Sequence, residues 1–268
     1  MTTPVFVLFY ALMMANAAVF SALGQGGGVL YTPIQIFFGI DFHMAAATTL
    51  FLIMVSSLSS TLIFRGARRV DWGMAVVLET ATMTGAFLGG AVSGYFSASV
   101  LTYVFSGVLA FAAGFMVHSV IRGRNCEAAT SSFSQWVRET HQGRYCINLF
   151  IALPLSLLAG AVSGLVGVAG GVLKVPMLVL LFGVPMEMAV GSSAFMVGLT
   201  ALGGFAGHIV AGNFDWRLAV ALAPGVFIGG QLGARWAVGV AGARMHRIFG
   251  YFLILLAVFL VISTAMRG

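Results

Sequence analysis

Gly24-Gln25-Gly26-Gly27-Gly28-Val29-Leu30-Tyr31-Thr32-Pro33 returns later in the chain as Gly167-Val168-Ala169-Gly170-Gly171-Val172-Leu173-Lys174-Val175-Pro176. The shared pattern is G-x-(G/A)-G-G-V-L-x-x-P. Each copy follows a long apolar run and precedes a short one. Glycine in a helix interior costs about 1 kcal/mol against alanine, so each cluster ends one helix and starts another. The new helix begins with bare N–H groups and the positive end of its dipole, a setting that suits an anion. Inside a membrane, such irregular backbone persists only where it is buried in protein or lines a cavity.

A membrane is what the composition demands. Of the 268 residues, 60% are hydrophobic and 7% are charged, against about 25% charged in soluble domains. The formal charge of +6 is not a nucleic-acid footprint, because the basic residues sit in a few short loops, which is a topology signal. Met1–Leu23 has no basic leading region and reads as a first membrane helix rather than a signal peptide. Cys126 and Cys146 share one basic loop. A reduced, cytoplasmic loop predicts free thiols there, with a disulfide or metal pair as the weaker alternative, since two cysteines supply too few ligands for a zinc site.

Working outward from the glycine clusters, residues 4–23 make a run of about 30 Å if helical, enough to span. Residues 29–40 reach only about 18 Å, so this element is either a tilted crossing or re-entrant. Spans follow at 43–64, 72–92 and 99–121. Residues 122–146 are a polar linker, and Phe133–Val137 suggests a helix lying on the membrane surface. The order then recurs: a span at 147–166, a break at 167–171, a short element at 172–183, and spans at 187–209, 216–236 and 245–266. A shift of 144 lays Asp71-Trp72 on Asp215-Trp216, and Gly85 and Gly89 on Gly229 and Gly233. The chain is therefore expected to be an all-α polytopic membrane protein of two repeats, 1–121 and 147–268, joined by the linker 122–146. Each repeat holds a glycine-broken short helix pair, giving 8–10 membrane helical elements.

Charge gives the repeats opposite senses. Arg65, Arg68 and Arg69 follow the span 43–64, whereas the counterpart loop near 210–215 has no Lys or Arg. The turn 93–98 is charge-free, whereas its counterpart 237–247 carries Arg244 and Arg247, with Arg235 just before. The basic side swaps between halves, the pattern of an inverted-topology repeat. Loops 65–69, 122–144 and 235–247 are then cytoplasmic, and both termini lie outside.

The doubled glycine-proline stretch resembles the TauE/SafE sulfite-exporter family of the toluene-sulfonate uptake permease superfamily. Met44-Ala45 with Ala47-Thr48-Thr49, and Met188-Ala189 with Gly191-Ser192-Ser193, continue the resemblance in both halves. It covers nearly the whole chain apart from 122–146. The resemblance implies a bacterial inner-membrane carrier for small sulfur-containing anions, often sulfite or organosulfonates. Which anion is moved differs among members.

The site is read from the residues themselves. Lys174 is the chain's one lysine, three residues after Gly171, and Tyr31 takes its place in the other copy. It either anchors an anionic substrate beside the Gly170 and Gly171 amides or snorkels to headgroups. Gly26, Gly27, Gly28 and Gln25 would line the same pathway from the first copy. Thr48 and Thr49, and their equivalents Ser192 and Ser193, either donate to substrate oxygens or serve helix packing. Glu79, inside a span, either couples transport to protons or is a structural carboxyl, paired with Lys174 or hydrogen-bonded to a neighbouring helix. Gln231 in place of Phe87 is a weaker pathway candidate. Asn16 and His208 read as packing residues, His43 and Glu187 as solvated caps, and the Asp-Trp pairs as helix starts at the headgroup level. Gly85-x-x-x-Gly89 and Gly229-x-x-x-Gly233 let helices approach closely, within the chain or, as a minority reading, in a homodimer.

No catalytic constellation emerges, and Gly167-x-x-Gly-Gly-x-x-Lys lacks the spacing and flanking strand of a phosphate loop. The reading is a secondary carrier moving sulfite or an organosulfonate outwards by alternating access, not an enzyme. A passive anion channel through the same cleft is the alternative. The expected partners are a small anion and the lipid bilayer, with no nucleic acid, metal or cofactor.

Overall fold

Thr3–Ala22 forms helix α1, and its two faces show how the chain solves the membrane problem. Phe9, Met13, Asn16, Ala17 and Phe20 are buried at helical spacing. Val5, Val7, Leu8, Leu12 and Val19 are exposed although apolar. A helix that is apolar all round, with its small and polar residues turned inwards, is built for a hydrocarbon surround. The computed structural model describes residues 3–40, 42–92, 107, 135–140, 142–166, 171–210 and 214–265. The chain continues through α2 (Gly28–Phe37), α3 (Phe42–Gly66), α4 (Trp72–Val92), strands β1 (Gln135–Thr140) and β2 (Gly143–Asn148), and α5 (Leu149–Val166). It closes with α6 (Gly171–Pro176) and a π-helical turn (Met177–Leu181), then α7 (Met186–Val210), α8 (Trp216–Gly239) and α9 (Gly242–Ala265).

Among the described residues, four helical stretches are long and apolar enough to cross a membrane: Thr3–Ala22, Ala47–Gly66, Met186–Phe205 and Trp216–Gly239. Trp72–Leu88 and Leu149–Val162 are shorter apolar helices. The all-α membrane architecture thus holds, with one small exception. The expected span at 99–121, apart from Gly107, and most of the linker lie outside the described residues.

The exception is the end of the linker. Gln135–Val137, read as part of a surface helix, begins an antiparallel hairpin that pairs Trp136 with Ile147 and Arg138 with Tyr145. Burial alternates strictly along β1, and a period of two belongs to a strand. Arg138 sits 4.8 Å over the Trp136 ring. The free-thiol reading is also corrected, since Cys146 on β2 is disulfide-bonded. Disulfides persist in oxidising surroundings, so the reduced-loop premise fails at this position. Cys126 lies outside the described residues.

The chain folds as two units, each drawing on both sequence halves. The first comprises Met1–Ala75 and Val190–Gly239. Here α8 lies against α1 so closely that a Cβ at Gly229 would run into the Met14 carbonyl, and one at Gly233 into the Ala18 carbonyl. Asp71 Oδ1 accepts from the Met74 amide at 3.1 Å, and Asp215 Oδ1 accepts from the Arg217 amide at 2.9 Å. Both Asp-Trp pairs therefore start helices, with the Trp72 and Trp216 side chains exposed.

The second unit comprises Val76–Ala189 and Val240–Gly268. In it α4 and α5 meet through glycines from both sides: Gly85 abuts the Leu157 carbonyl and Gly160 the Thr82 carbonyl. Glu187, read as a solvated cap, instead accepts from the Gly242 amide at 3.1 Å and from Gln142 Nε2 at 3.0 Å. It ties the start of α7 to the start of α9.

These contacts leave no room for a side chain. Gly233→Ala is expected to lower stability by about 1–3 kcal/mol through overpacking. Gly239→Ala should be neutral, because the methyl group it adds would meet nothing within 4 Å. Thermal unfolding in detergent distinguishes the two. Equal melting temperatures would refute the α1–α8 contact.

Candidate functional site

The first glycine cluster makes a turn that only glycine can make. Gly24, Gly26 and Gly27 have φ of 71°, 67° and 90°, in the left-handed region that other residues rarely enter. A Cβ at Gly24 would strike the Val190 carbonyl, and one at Gly27 would lie 2.6 Å from the Tyr31 ring. Backbone leaving a helix inside a membrane must be matched internally, and three of these amides turn back to do so. Leu23, Gly24 and Gln25 donate to carbonyls of Phe20 and Ser21, capping α1. Two carbonyls are held from neighbouring helices. Asn16 Nδ2 donates to Gly27 O at 3.0 Å, and Ser56 Oγ donates to Gly26 O at 2.6 Å.

Those two bonds have a directional consequence. A trans peptide sets its N–H antiparallel to its C=O. Anchoring the Gly26 and Gly27 carbonyls on Ser56 and Asn16 therefore aims the amides of Gly27 and Gly28 the opposite way, at the start of α2. Gln25 is buried at the same turn, with neither side-chain polar atom partnered. The Tyr31 hydroxyl faces Ser56 without closing a hydrogen bond, and Ser57 Oγ, also unpartnered, lies against Gly26. A buried polar group without a partner costs on the order of 1–3 kcal/mol. Such a concentration of them marks a place suited to a polar ligand.

A polar ladder links α2 to α3 beside this turn. Gln35 Nε2 donates to Thr49 Oγ1 at 2.8 Å, and Thr32 Oγ1 donates to the same oxygen at 2.9 Å. Thr49 is thus engaged in packing, whereas Thr48 is fully buried with its hydroxyl unpartnered. The equivalent pair on α7 divides the same way. Ser192 Oγ accepts from the Asp71 amide at 3.0 Å, and the buried Ser193 hydroxyl is unpartnered.

The second unit holds a buried ion pair. Lys174 Nζ lies 2.6 Å from Glu79 Oε2, with both residues 1% exposed. Residues 173–179 around Lys174 are all buried. Of the alternatives read for Lys174, snorkelling to headgroups does not fit this burial. Pro176 has no N–H to close the next helical turn, and the chain widens there into a π turn, a feature frequent at functional sites. Gly171 opens α6, and Gly170 lies outside the described residues.

Other sequence candidates fall away from these centres. Gln231 accepts from Arg235 Nη2 at 3.1 Å on an exposed part of α8, and Phe87 is 77% exposed. The side chains of His43 and His208 lie outside the described set. Asn16, read as a packing residue, holds the turn directly. Ser56, Ser57 and Gln35 do not stand out in the sequence. The one signal there is Gln35 standing four residues after Tyr31 in a short apolar element. Among the described residues no group of three His, Cys, Asp or Glu could hold a metal ion.

The helices and their interior polar groups define a multi-pass α-helical membrane protein. The chain belongs to the sulfite exporter TauE/SafE family, whose profile matches residues 7–260. It is 27% identical to "Probable membrane transporter protein YunE" of Bacillus subtilis (strain 168), over 85% of this chain and 87% of that one. It is 28% identical to a "Probable membrane transporter protein" of Xylella fastidiosa (strain 9a5c), over 89% and 88%. "Probable membrane transporter protein MamO" of Paramagnetospirillum magneticum (strain ATCC 700264 / AMB-1) is 24% identical, over 84% of this chain and 39% of its own length. No solved structure matches.

A buried ion pair resists the loss of one partner far more than the loss of both. Lys174→Met is expected to destabilise the protein by about 3–5 kcal/mol, while Lys174→Met combined with Glu79→Gln recovers most of that. A double variant no more stable than the single one, in a detergent melt, would count against the pairing.

Proposed function

We propose that the chain is a secondary transporter that moves a small sulfur-containing anion, sulfite or an organosulfonate, out across the bacterial inner membrane by alternating access. The single observation that carries this reading is the fully buried Lys174–Glu79 pair. A charge inside a membrane is costly and marks an ion pathway by default. The glycine turn, with the amides of Gly27 and Gly28 and the unpartnered Gln25, Thr48 and Ser193, supplies neutral donors suited to sulfur oxyanions. In this reading Gly26, Tyr31, Thr49 and Ser192 serve the first unit's polar cluster, and Gly170 and Gly171 serve Lys174 in the second.

Charge balance suggests the cycle. With Lys174 and Glu79 both ionised the pair is neutral. An anion that takes Glu79's place on Lys174 would leave an uncompensated carboxylate in low dielectric. Protonation of Glu79 removes that charge and releases Lys174 to the anion. Anion and proton therefore load together, and the direction of net flux follows their combined gradients.

The alternation would come from two inverted repeats. The glycine contacts favour this, because Gly85 on the Leu157 carbonyl and Gly229 on the Met14 carbonyl occupy nearly equivalent places under the 144-residue shift. The swap of basic loops between the halves would set 65–69, 122–144 and 235–247 on one face of the membrane and both termini on the other.

Counterflow in proteoliposomes tests the reading. Labelled sulfite outside should accumulate transiently when unlabelled sulfite or a short sulfonate is loaded inside. Label that enters without overshoot for any internal anion would indicate a channel and overturn the carrier. Glu79→Gln mimics the protonated state, so its flux should lose the pH dependence of the native protein. An unchanged pH profile would remove Glu79 from the mechanism.

A further inference from the structure

We propose that a groove between α3 and α7 binds one acyl chain of an anionic phospholipid, with the headgroup phosphate at Arg65. The cavity measures about 430 Å³, within the range of about 300–1,000 Å³ typical of small-ligand sites. Its α3 wall runs from Phe51 to Arg65. At a rise of 1.5 Å per residue that is about 21 Å, more than half of a hydrocarbon core of about 30 Å. The groove is therefore shaped for a chain lying along a helix within one leaflet.

Its two ends differ. At one end stand Arg65 and Trp72, with the Trp72 ring packed edge-on against Phe195 at 4.9 Å. At the other stand Phe51 and Leu202, where Phe51 packs on Phe205 and Phe214. Arginine beside tryptophan is the chemistry of a headgroup boundary. Arg69 is committed to the Ala237 and Val238 carbonyls at 3.1 and 3.0 Å, whereas Arg65 and Arg68 are exposed. Basic groups at the mouth of an interhelical groove suit an anionic headgroup. One turn deeper, Thr61 Oγ1 lines the groove, buried and unpartnered, placed to donate to an ester carbonyl. Leu58, Leu62 and Leu202 are 60%, 47% and 50% exposed along the rim, which leaves the groove open sideways to the bilayer. A free anion would be served by Arg65 alone. The apolar length and the lateral opening are what call for a lipid.

Native mass spectrometry of the detergent-purified protein, titrated with phosphatidylglycerol or phosphatidylcholine of matched chains, tests this. Wild type should retain at least tenfold more phosphatidylglycerol than phosphatidylcholine. Arg65→Gln should abolish that preference, and Leu202→Trp, which fills the far end, should reduce retention of both. Melting temperatures of the exposed-site variants verify folding. Equal retention of the two lipids by wild type would mean ordinary boundary lipid and overturn the proposal. So would an undiminished preference in Arg65→Gln, or a second copy of the chain crosslinked across Leu58 and Leu62.

Discussion

A backbone carbonyl released from a helix in hydrocarbon must find a donor, and the Gly24–Gly27 turn meets that demand with two side chains. Ser56 comes from α3 and Asn16 from α1. Each bond joins a helix to the break, so the irregular segment becomes a shared fixture of three helices. Because the peptide is planar and trans, satisfying the carbonyls decides where the next amides point. The same bonds that make the break tolerable in a membrane therefore give it a polarity a ligand could read. Substitution at Asn16 or Ser56 disturbs structure and site together, which is why such residues look like packing from sequence.

Close packing sets the second constraint. Without a hydrophobic drive between helices in lipid, association rests on van der Waals contact, which small residues allow. Gly229 and Gly233 bring α8 onto the backbone of α1, and Gly85 and Gly160 bring α4 and α5 together. These contacts place polar side chains such as Asn16 and Glu79 among helices rather than against lipid. Glu79 lies on the same helix as Gly85, six residues away.

Much of this is readable from the chain. Apolar runs, glycine breaks and the Asp-Trp starts yield helix boundaries that α1, α3 and α4 match within two residues. Periodicity and capping are local, so local sequence carries them. The hairpin escapes such a reading because Gln135–Val137, joined to Phe133, has the look of an amphipathic helix. Only its pairing with Tyr145 and Ile147 reveals the strand period. The ion pair is visible in the sequence as one alternative among several. Glu79 and Lys174 lie 95 residues apart, and no local pattern encodes a contact of that range. The buried hydroxyls are less legible still, since Thr48 and Thr49 are chemically alike and only packing leaves one committed and the other unpartnered.

The doubled motif gives these differences their meaning. Two copies of one motif begin with equivalent chemistry, so positions where they differ mark where their roles part. Here Tyr31 stands where the other copy has Lys174, Gln25 where it has Val168, and Glu79 where it has Ala223. The first copy's turn is lined by neutral donors, while the second copy's lysine is balanced by a carboxylate from the first half. A lysine at both positions would put two cations into a low-dielectric interior with one acid to match them. Lys174 paired with Glu79 instead leaves the second unit's buried pair without net charge.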